Sequence, residues 1–405
     1  MENTRKIFAG LRPSVGLDMR NTWTSGRSFL VGLIGLLCLA FGSVELAAQT
    51  SAWKQSRADA VAAYRAGDYA AAEQHLLKAI EHAEKFGTRD PRLAATLNDL
   101  ALTNFRQGKY AEAEPLHRRA LEIRERIHGP DHPDLAASLN DLAFLYAAQG
   151  RYTEAEPLHA RALEIRKKSF GAGHPEVAKS LNNIGSLYLE LERYAQAELL
   201  YQQALGIVGK TLGEQHPYMV ASLNNLAALY DEQGRFPEAA PLYHQALGIA
   251  EKTLGGEHPQ VAASLNNLAL HYDAQGKLDE AEPLYRKALG IASKTLGAEH
   301  PDVAASHEHL GVLYTVQGKY KQAESHLQQA LQIRRNRLGA AHPLVAQSLE
   351  NYAALLSKTG REVEAKRAQI LAASIRAQNA RDNQLKPEER RRPQKRAVHV
   401  LKTTG

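Results

Sequence analysis

Residues 223–262 read LNNLAALYDEQGRFPEAAPLYHQALGIAEKTLGGEHPQVA, and most of the chain consists of copies of this segment. In the copy at 133–171, apolar residues recur three and four positions apart, which is the spacing of one face of a helix. Gly150 interrupts this pattern and Gly171 ends it, in the position of a left-handed helix cap. A proline follows at 175, where its fixed φ suits the first turn of the next helix. Each copy therefore predicts two helices joined by a short turn.

The copies are spaced 42 residues apart, which is visible in three features that stay in phase. The Leu-Asn pair stands at 97–98, 139–140, 181–182, 223–224 and 265–266. Glycine stands at 108, 150, 234, 276, 318 and 360, with Glu192 as the one substitution. His-Pro begins at 132, 174, 216, 258, 300 and 342, and a shorter copy precedes the series around Gly67.

One such helix pair cannot bury its apolar face alone, so each pair must stack on the next. The predicted fold class is all-α, an α-solenoid of about eight stacked helix-turn-helix repeats over residues 53–377, with a concave face. The small alanines at 143, 155 and 162 are expected where the two helices of a pair approach closely.

The repeats resemble the tetratricopeptide repeat (TPR), in the 42-residue form found in kinesin light chains. The matching residues are Leu226, Ala227, Tyr230, Ala239 and Ala246. The terminal copies depart from the pattern at Asp59, Ala63, His307, Glu308 and Glu350. Because this family is defined by what it binds, the resemblance implies protein binding rather than a reaction.

The resemblance also implies that a second stripe on each first helix lines the concave groove. Candidate protein-binding residues are Asn98, Asn140, Asn182, Asn224, Asn266, Phe144, Glu190, Asp231, Glu232 and Asp273. Amides can hold the backbone of an extended peptide, and the acidic residues favour peptides that carry lysine or arginine. The alternative is that the asparagines bond to neighbouring helix ends and set the repeat spacing.

The sequence predicts no catalytic, cofactor-binding or metal-binding residues, and hence no enzyme. Phosphate-loop and nucleophile-elbow motifs are missing, and each nucleophile or carboxylate that could be nominated recurs in a repeat where its role must be structural. Successive His-Pro histidines lie a whole repeat apart, roughly 10 Å, which is too far for one ion. We interpret them as helix starts.

Residues 1–49 are predicted to be a signal peptide or membrane anchor. An uncharged apolar run at 28–44 follows Arg20 and Arg27 and precedes the small residues Ala47 and Ala48. Cleavage would remove Cys38, the only cysteine. The expected location is periplasmic or secreted, or anchored in the inner membrane with the repeats facing outward.

The net charge of +6 is concentrated at the two ends, because residues 1–27 carry +3, residues 385–405 carry +5 and the remainder carries −2. The repeats therefore have no excess positive charge for binding nucleic acid. Residues 378–405 are predicted to form a disordered basic tail, which could contact anionic lipid, as residues 28–44 could contact a membrane.

These observations predict a non-catalytic, exported scaffold or adaptor that binds peptide partners in its groove. Two alternatives stay open: a cytoplasmic adaptor like kinesin light chain, and a regulatory subunit of an enzyme on another chain.

Overall fold

The computed structural model describes residues 46–383, and within that range it contains helices and connecting turns only. The chain divides into two units, 1–52 and 53–405, and the repeats form the second. Helix α1 comprises residues 46–65. The other helices are α2 Tyr69–Glu84, α3 Pro91–Arg106, α4 Tyr110–His128, α5 Pro133–Ala148, α6 Tyr152–Phe170, α7 Pro175–Glu190, α8 Tyr194–Leu212, α9 Tyr218–Glu232, α10 Phe236–Leu254, α11 Pro259–Ala274, α12 Leu278–Leu296, α13 Pro301–Val316, α14 Tyr320–Leu338, α15 Pro343–Lys358 and α16 Glu362–Asp382.

The helices pair as predicted, with each even-numbered helix packed on the helix before it and on the helix after it. The result is an all-α solenoid of stacked helix-turn-helix repeats, so the predicted fold class is confirmed. The apolar core runs along the stack, because a single cluster of buried residues extends from Leu163 in α6 to Ile291 in α12.

Histidines start the first helices of the repeats, which confirms their interpretation as helix starts. The His258 Nδ1 atom accepts the Gln260 backbone N–H at 3.1 Å, which satisfies one of the free donors of the first helical turn. The same bond occurs at His132, His174, His300 and His342. The second helices end at glycines such as Gly255, with φ between 82° and 92° and ψ between 147° and 171°. The positive φ explains the glycine, but these ψ values lie outside the left-handed helical region, so the left-handed cap predicted at Gly171 is wrong in its ψ.

Small residues lie where the two helices of a repeat cross. Ala143 and Ala155 have no exposed surface. In the fourth repeat the equivalent of Ala143 is Gly185, and a Cβ atom at this position would lie 2.6 Å from the Tyr201 ring. The two helices thus approach so closely that a large side chain on one requires a small residue opposite it on the other.

Within the repeat unit, the first repeats contact the last ones. The imidazole of His342 bonds through Nε2 to the Arg106 carbonyl at 3.1 Å. A Cβ atom at Gly108 would lie 2.9 Å from Pro343 Cδ, and one at Gly67 would collide with Pro301. The turns at Gly67 and Gly108 therefore pack against the helix starts six repeats further along the chain.

The ends of the described region differ slightly from the predicted boundaries. Helix α16 continues to Asp382, beyond the boundary expected at 377, and Asn379 in its last turns bonds to the Ala341 carbonyl at 2.7 Å. This tertiary bond gives the extra turn a partner that the repeat period does not reveal. The apolar run 28–44 and the tail after 383 lie outside the described residues. Of the helices the structure describes, none is both long and apolar enough to span a membrane.

Candidate protein-binding surface

The predicted asparagine row occupies equivalent positions of α3, α5, α7, α9 and α11, and its members are partly or fully buried. Asn140 is only 4% exposed, and its Oδ1 atom lies 2.7 Å from His159 Nδ1 of the paired helix. Asn98 makes the same contact with His117 at 2.8 Å and donates to Asp141 of the next repeat at 3.0 Å. These two amides hold helices together within the stack.

Four of the five asparagines have a buried side-chain atom without a hydrogen-bond partner in the described chain: Nδ2 of Asn140, and Oδ1 of the three considered next. Asn182 donates from Nδ2 to Ser222 Oγ of the next repeat at 2.7 Å. The Oδ1 atoms of Asn182, Asn224 and Asn266 are buried and have no hydrogen-bond partner within the described chain. Because these oxygens are buried, a peptide could reach them only after local rearrangement, and the peptide-binding role stays a prediction for this part of the row.

Two acidic residues of the predicted groove, Glu190 and Glu232, influence each other's charge across repeats. Glu190 ends α7 and Glu232 ends α9, and both side chains are exposed. Desolvation and, second to it, the negative charge of Glu232 raise the pKa of Glu190. A carboxylate whose pKa is raised by a like charge is stabilised when a cation approaches.

Asp231, next to Glu232 in the chain, belongs to a buried hydrogen-bond network. Its Oδ1 atom lies 2.7 Å from Nδ1 of His271, which is only 1% exposed, and the His271 Nε2 atom lies 2.7 Å from the Gln275 amide nitrogen. Burial and the Asp231 carboxylate raise the pKa of the Tyr243 hydroxyl. Asp231 thus fixes the contact between the fifth and sixth repeats, while Asp273 occupies the equivalent position one repeat on and is half-buried.

Phe144 is 38% exposed on the same face of α5. Its ring centroid lies 5.1 Å from that of Phe105 in α3, which in turn lies 5.3 Å from Tyr110. The first repeats therefore present aromatic side chains where the middle repeats present carboxylates.

A recurring tyrosine–glutamate–arginine contact between repeats was missing from the sequence-based predictions. Tyr230 donates to Glu198 of the preceding repeat at 2.9 Å, and Arg235 reaches the other oxygen of that carboxylate at 3.0 Å. Arg235 also lies 4.0 Å above the Tyr230 ring. The equivalent groups are Tyr146–Glu114–Arg151, Tyr188–Glu156–Arg193 and Tyr314–Glu282–Lys319. The 42-residue period carries these residues in phase, which is the signal that could have revealed the contact.

The tetratricopeptide repeat profile matches seven overlapping segments: 60–125, 92–150, 134–210, 200–252, 218–294, 260–336 and 302–378. These segments together cover more than half of the chain, and the chain belongs to the tetratricopeptide repeat family. Among curated protein sequences, none matches this chain.

Several solved structures are similar to this chain. BtubC (BKLC) from P. vanneervenii is 26% identical over 57% of this chain and 92% of its own, with a TM-score of 0.48. The nearly identical TPR-like repeats of a kinesin light chain from Podosopora anserina are 32% identical over 51% of this chain and 99% of their own, with a TM-score of 0.44. The Rap conjugation gene regulator of plasmid pLS20, solved with the Phr* peptide, is 16% identical over 72% of this chain and 76% of its own, with a TM-score of 0.54.

Proposed function

We propose that the protein is a non-catalytic scaffold that binds an extended, lysine- or arginine-bearing peptide on the face formed by α7, α9 and α11. The observation that carries this proposal is the placement of Glu190 and Glu232 at the ends of α7 and α9, where desolvation and, second to it, the Glu232 charge raise the pKa of Glu190. A cation from a partner would relieve this repulsion.

The family membership and the fold support a binding role. A structure with the same fold, the pLS20 regulator, was solved with a peptide. In this chain, the unused Oδ1 atoms of Asn182, Asn224 and Asn266 lie on the same three helices as the acidic residues. These oxygens are buried, so binding of an extended peptide would have to expose them before its backbone N–H groups could donate to them.

The charge preference is tested with two labelled probe peptides, one alternating lysine with serine and one alternating glutamate with serine. We expect the lysine peptide alone to bind, measured by fluorescence anisotropy. The double variant Glu190→Gln and Glu232→Gln should weaken binding about tenfold, which corresponds to about 1.4 kcal/mol. Equal binding of the two peptides would contradict the proposal.

A matched control tests whether binding depends on the two carboxylates at the site or only on the net charge of the protein. Glu81→Gln with Glu214→Gln removes the same charge at exposed positions outside these three helices and should leave binding unchanged. If both double variants weaken binding equally, the attraction is general electrostatics and the proposed site is wrong.

The asparagines are tested by Asn182→Ala, Asn224→Ala and Asn266→Ala together. Retained melting temperature with lost peptide binding supports a role in the groove. A large loss of stability with binding intact assigns the row to packing, which is the role that Asn98 and Asn140 already have.

Export is the second part of the proposal, and it is supported by the apolar run 28–44 with its preceding arginines. A reporter enzyme that is active only outside the cytoplasm, fused after Asn383, should be active in cells. Deleting residues 28–44 should abolish that activity. Inactivity of the fusion that keeps residues 28–44 would favour a cytoplasmic adaptor. Activity that survives the deletion would show that residues 28–44 are not the export signal.

A further inference from the structure

The turn between α4 and α5 brings together two histidines and an aspartate. His128 is the last residue of α4, His132 precedes α5, and Asp134 lies in the first turn of α5. Between them, Gly129 adopts a φ of 82°, which reverses the chain so that the two imidazoles stack with centroids 4.3 Å apart. In the region the structure describes, this is the one group of three potential metal ligands with closely spaced donor atoms.

The donor atoms are close to the spacing that one ion requires. Asp134 Oδ2 lies 3.8 Å from His128 Nε2 and 3.7 Å from His132 Nδ1, and all three donors lie within 4.8 Å of one another. Two ligands of a tetrahedral zinc ion, each about 2.1 Å from the metal, lie about 3.4 Å apart. Small side-chain rotations of these partly exposed residues would close the difference.

The group is specific to one repeat. Four other second helices end in leucine, at Leu212, Leu254, Leu296 and Leu338. His128 therefore places a metal-ligating side chain where four equivalent helices have an apolar one. The second imidazole, that of His132, belongs to the His-Pro pair that the repeats share. The equivalent turn at His300 has only two of the three ligands. His300 Nδ1 lies 3.7 Å from Asp302 Oδ2, but Leu296 stands where His128 would supply a second imidazole.

The carboxyl end of α4 and the Asp134 carboxylate place negative charge beside a cation bound at this turn. His128 lies at the carboxyl end of α4, where the helix dipole is negative, and the Asp134 carboxylate offsets the positive amino end of α5. His132 Nδ1 also accepts the Asp134 backbone N–H at 3.2 Å, so a metal there would replace this helix-capping bond.

We propose that His128, His132 and Asp134 bind one divalent transition metal of the kind that prefers imidazole, with Zn²⁺ as the probe. Two imidazoles and a carboxylate leave a fourth position for water, which makes this an open site. Imidazole ligands select Zn²⁺, Cu²⁺ or Ni²⁺ over Mg²⁺, which prefers an all-oxygen octahedron.

Calorimetric titration of the untagged, full-length protein with Zn²⁺ should show one ion bound per chain, and titration with Mg²⁺ should show none. His128→Leu introduces the residue of the four equivalent helices, so it should fold normally. It should weaken Zn²⁺ binding at least tenfold, because the loss of even an outer-shell partner typically lowers metal affinity by about 10- to 100-fold.

Asp134→Asn should weaken binding similarly, whereas the control His258→Asn, at an exposed turn with Leu254 before it, should bind as the parent protein does. Circular dichroism melting would verify that each variant is folded. Zn²⁺ binding that survives His128→Leu unchanged, or Mg²⁺ binding of equal strength, would overturn the proposal.

Discussion

Equivalent turns of this protein fall into two groups that share their sequence and differ in their surroundings. The turns at Gly67 and Gly108 are covered by Pro301 and Pro343, whereas no other part of the described chain comes within 4 Å of a Cβ atom at Gly150, Gly234, Gly276, Gly318 or Gly360. The same division holds for the helix starts, because His300 and His342 are 6% and 7% exposed while His174 and His258 are exposed. A motif that serves only as a turn in one repeat is an interface in another.

The largest expected difference between the groups concerns acid stability. Burial lowers the pKa of His342 to about 4, helped by the positive charge of Arg334. Since the imidazole titrates near 6.5 when unfolded, the folded state binds fewer protons between these values. The stability that neutral His342 contributes is complete above about pH 6.5, falls as the pH drops toward 4 and is constant below, a change of up to about 3 kcal/mol.

Urea unfolding at a series of pH values measures this dependence. His342→Asn keeps a helix-capping residue and should flatten the curve between pH 6.5 and 4, whereas His258→Asn at an exposed turn should not. Parallel curves for the two variants would show that the buried turn contact has no role in acid stability.

A methyl group added at the covered turns should lower the free energy of unfolding more than one added at the uncovered turns. Gly67 and Gly276 have φ values of 71° and 72°, so alanine suffers the same backbone strain of about 1 kcal/mol at both. At Gly67 alone it also collides with Pro301, which should add about 1–3 kcal/mol. Urea unfolding of Gly67→Ala and Gly276→Ala gives the difference directly, and equal losses would contradict the contact between first and last repeats.

Glu192 allows the backbone strain at a turn between two helices to be measured. It replaces the glycine of the other repeats and has a φ of 59°, a conformation that is unfavourable for residues with a Cβ atom. Glu192→Gly should raise the free energy of unfolding by about 1 kcal/mol. An unchanged or lower value would mean that the glutamate side chain compensates for its backbone.

The smallest effect concerns the interface between the fifth and sixth repeats. Ala240 stands there at the position of the glutamate of the tyrosine–glutamate–arginine contact, and Tyr272 contacts His244 instead, at 3.2 Å. Ala240→Glu would give Tyr272 and Lys277 the partner that equivalent residues have in other repeats. The expected gain is about 0.5 kcal/mol, and it should shrink at high salt because the pair is partly exposed. A salt-independent change would not come from this contact.

Much of the fold was predictable because the repeat pattern is local. The 3.6-residue spacing of apolar positions places the helices, and the glycines and His-Pro pairs place their ends, so the structure agrees with the prediction to within a few residues. The candidate site was less predictable. Asn140 and Asn182 hold the same place in the repeat, yet one faces a histidine of its own repeat and the other a serine of the next.

The amino-acid sequence alone determined the helical repeats, their number and their order, because hydrogen bonds within helices and the pairing of neighbouring helices depend on residues close together in the chain. Only the tertiary structure decided which of the identical turns are buried and which carboxylates repel each other. Those properties arise between residues that are one to six repeats apart, and a strictly periodic sequence looks the same at every one of these positions.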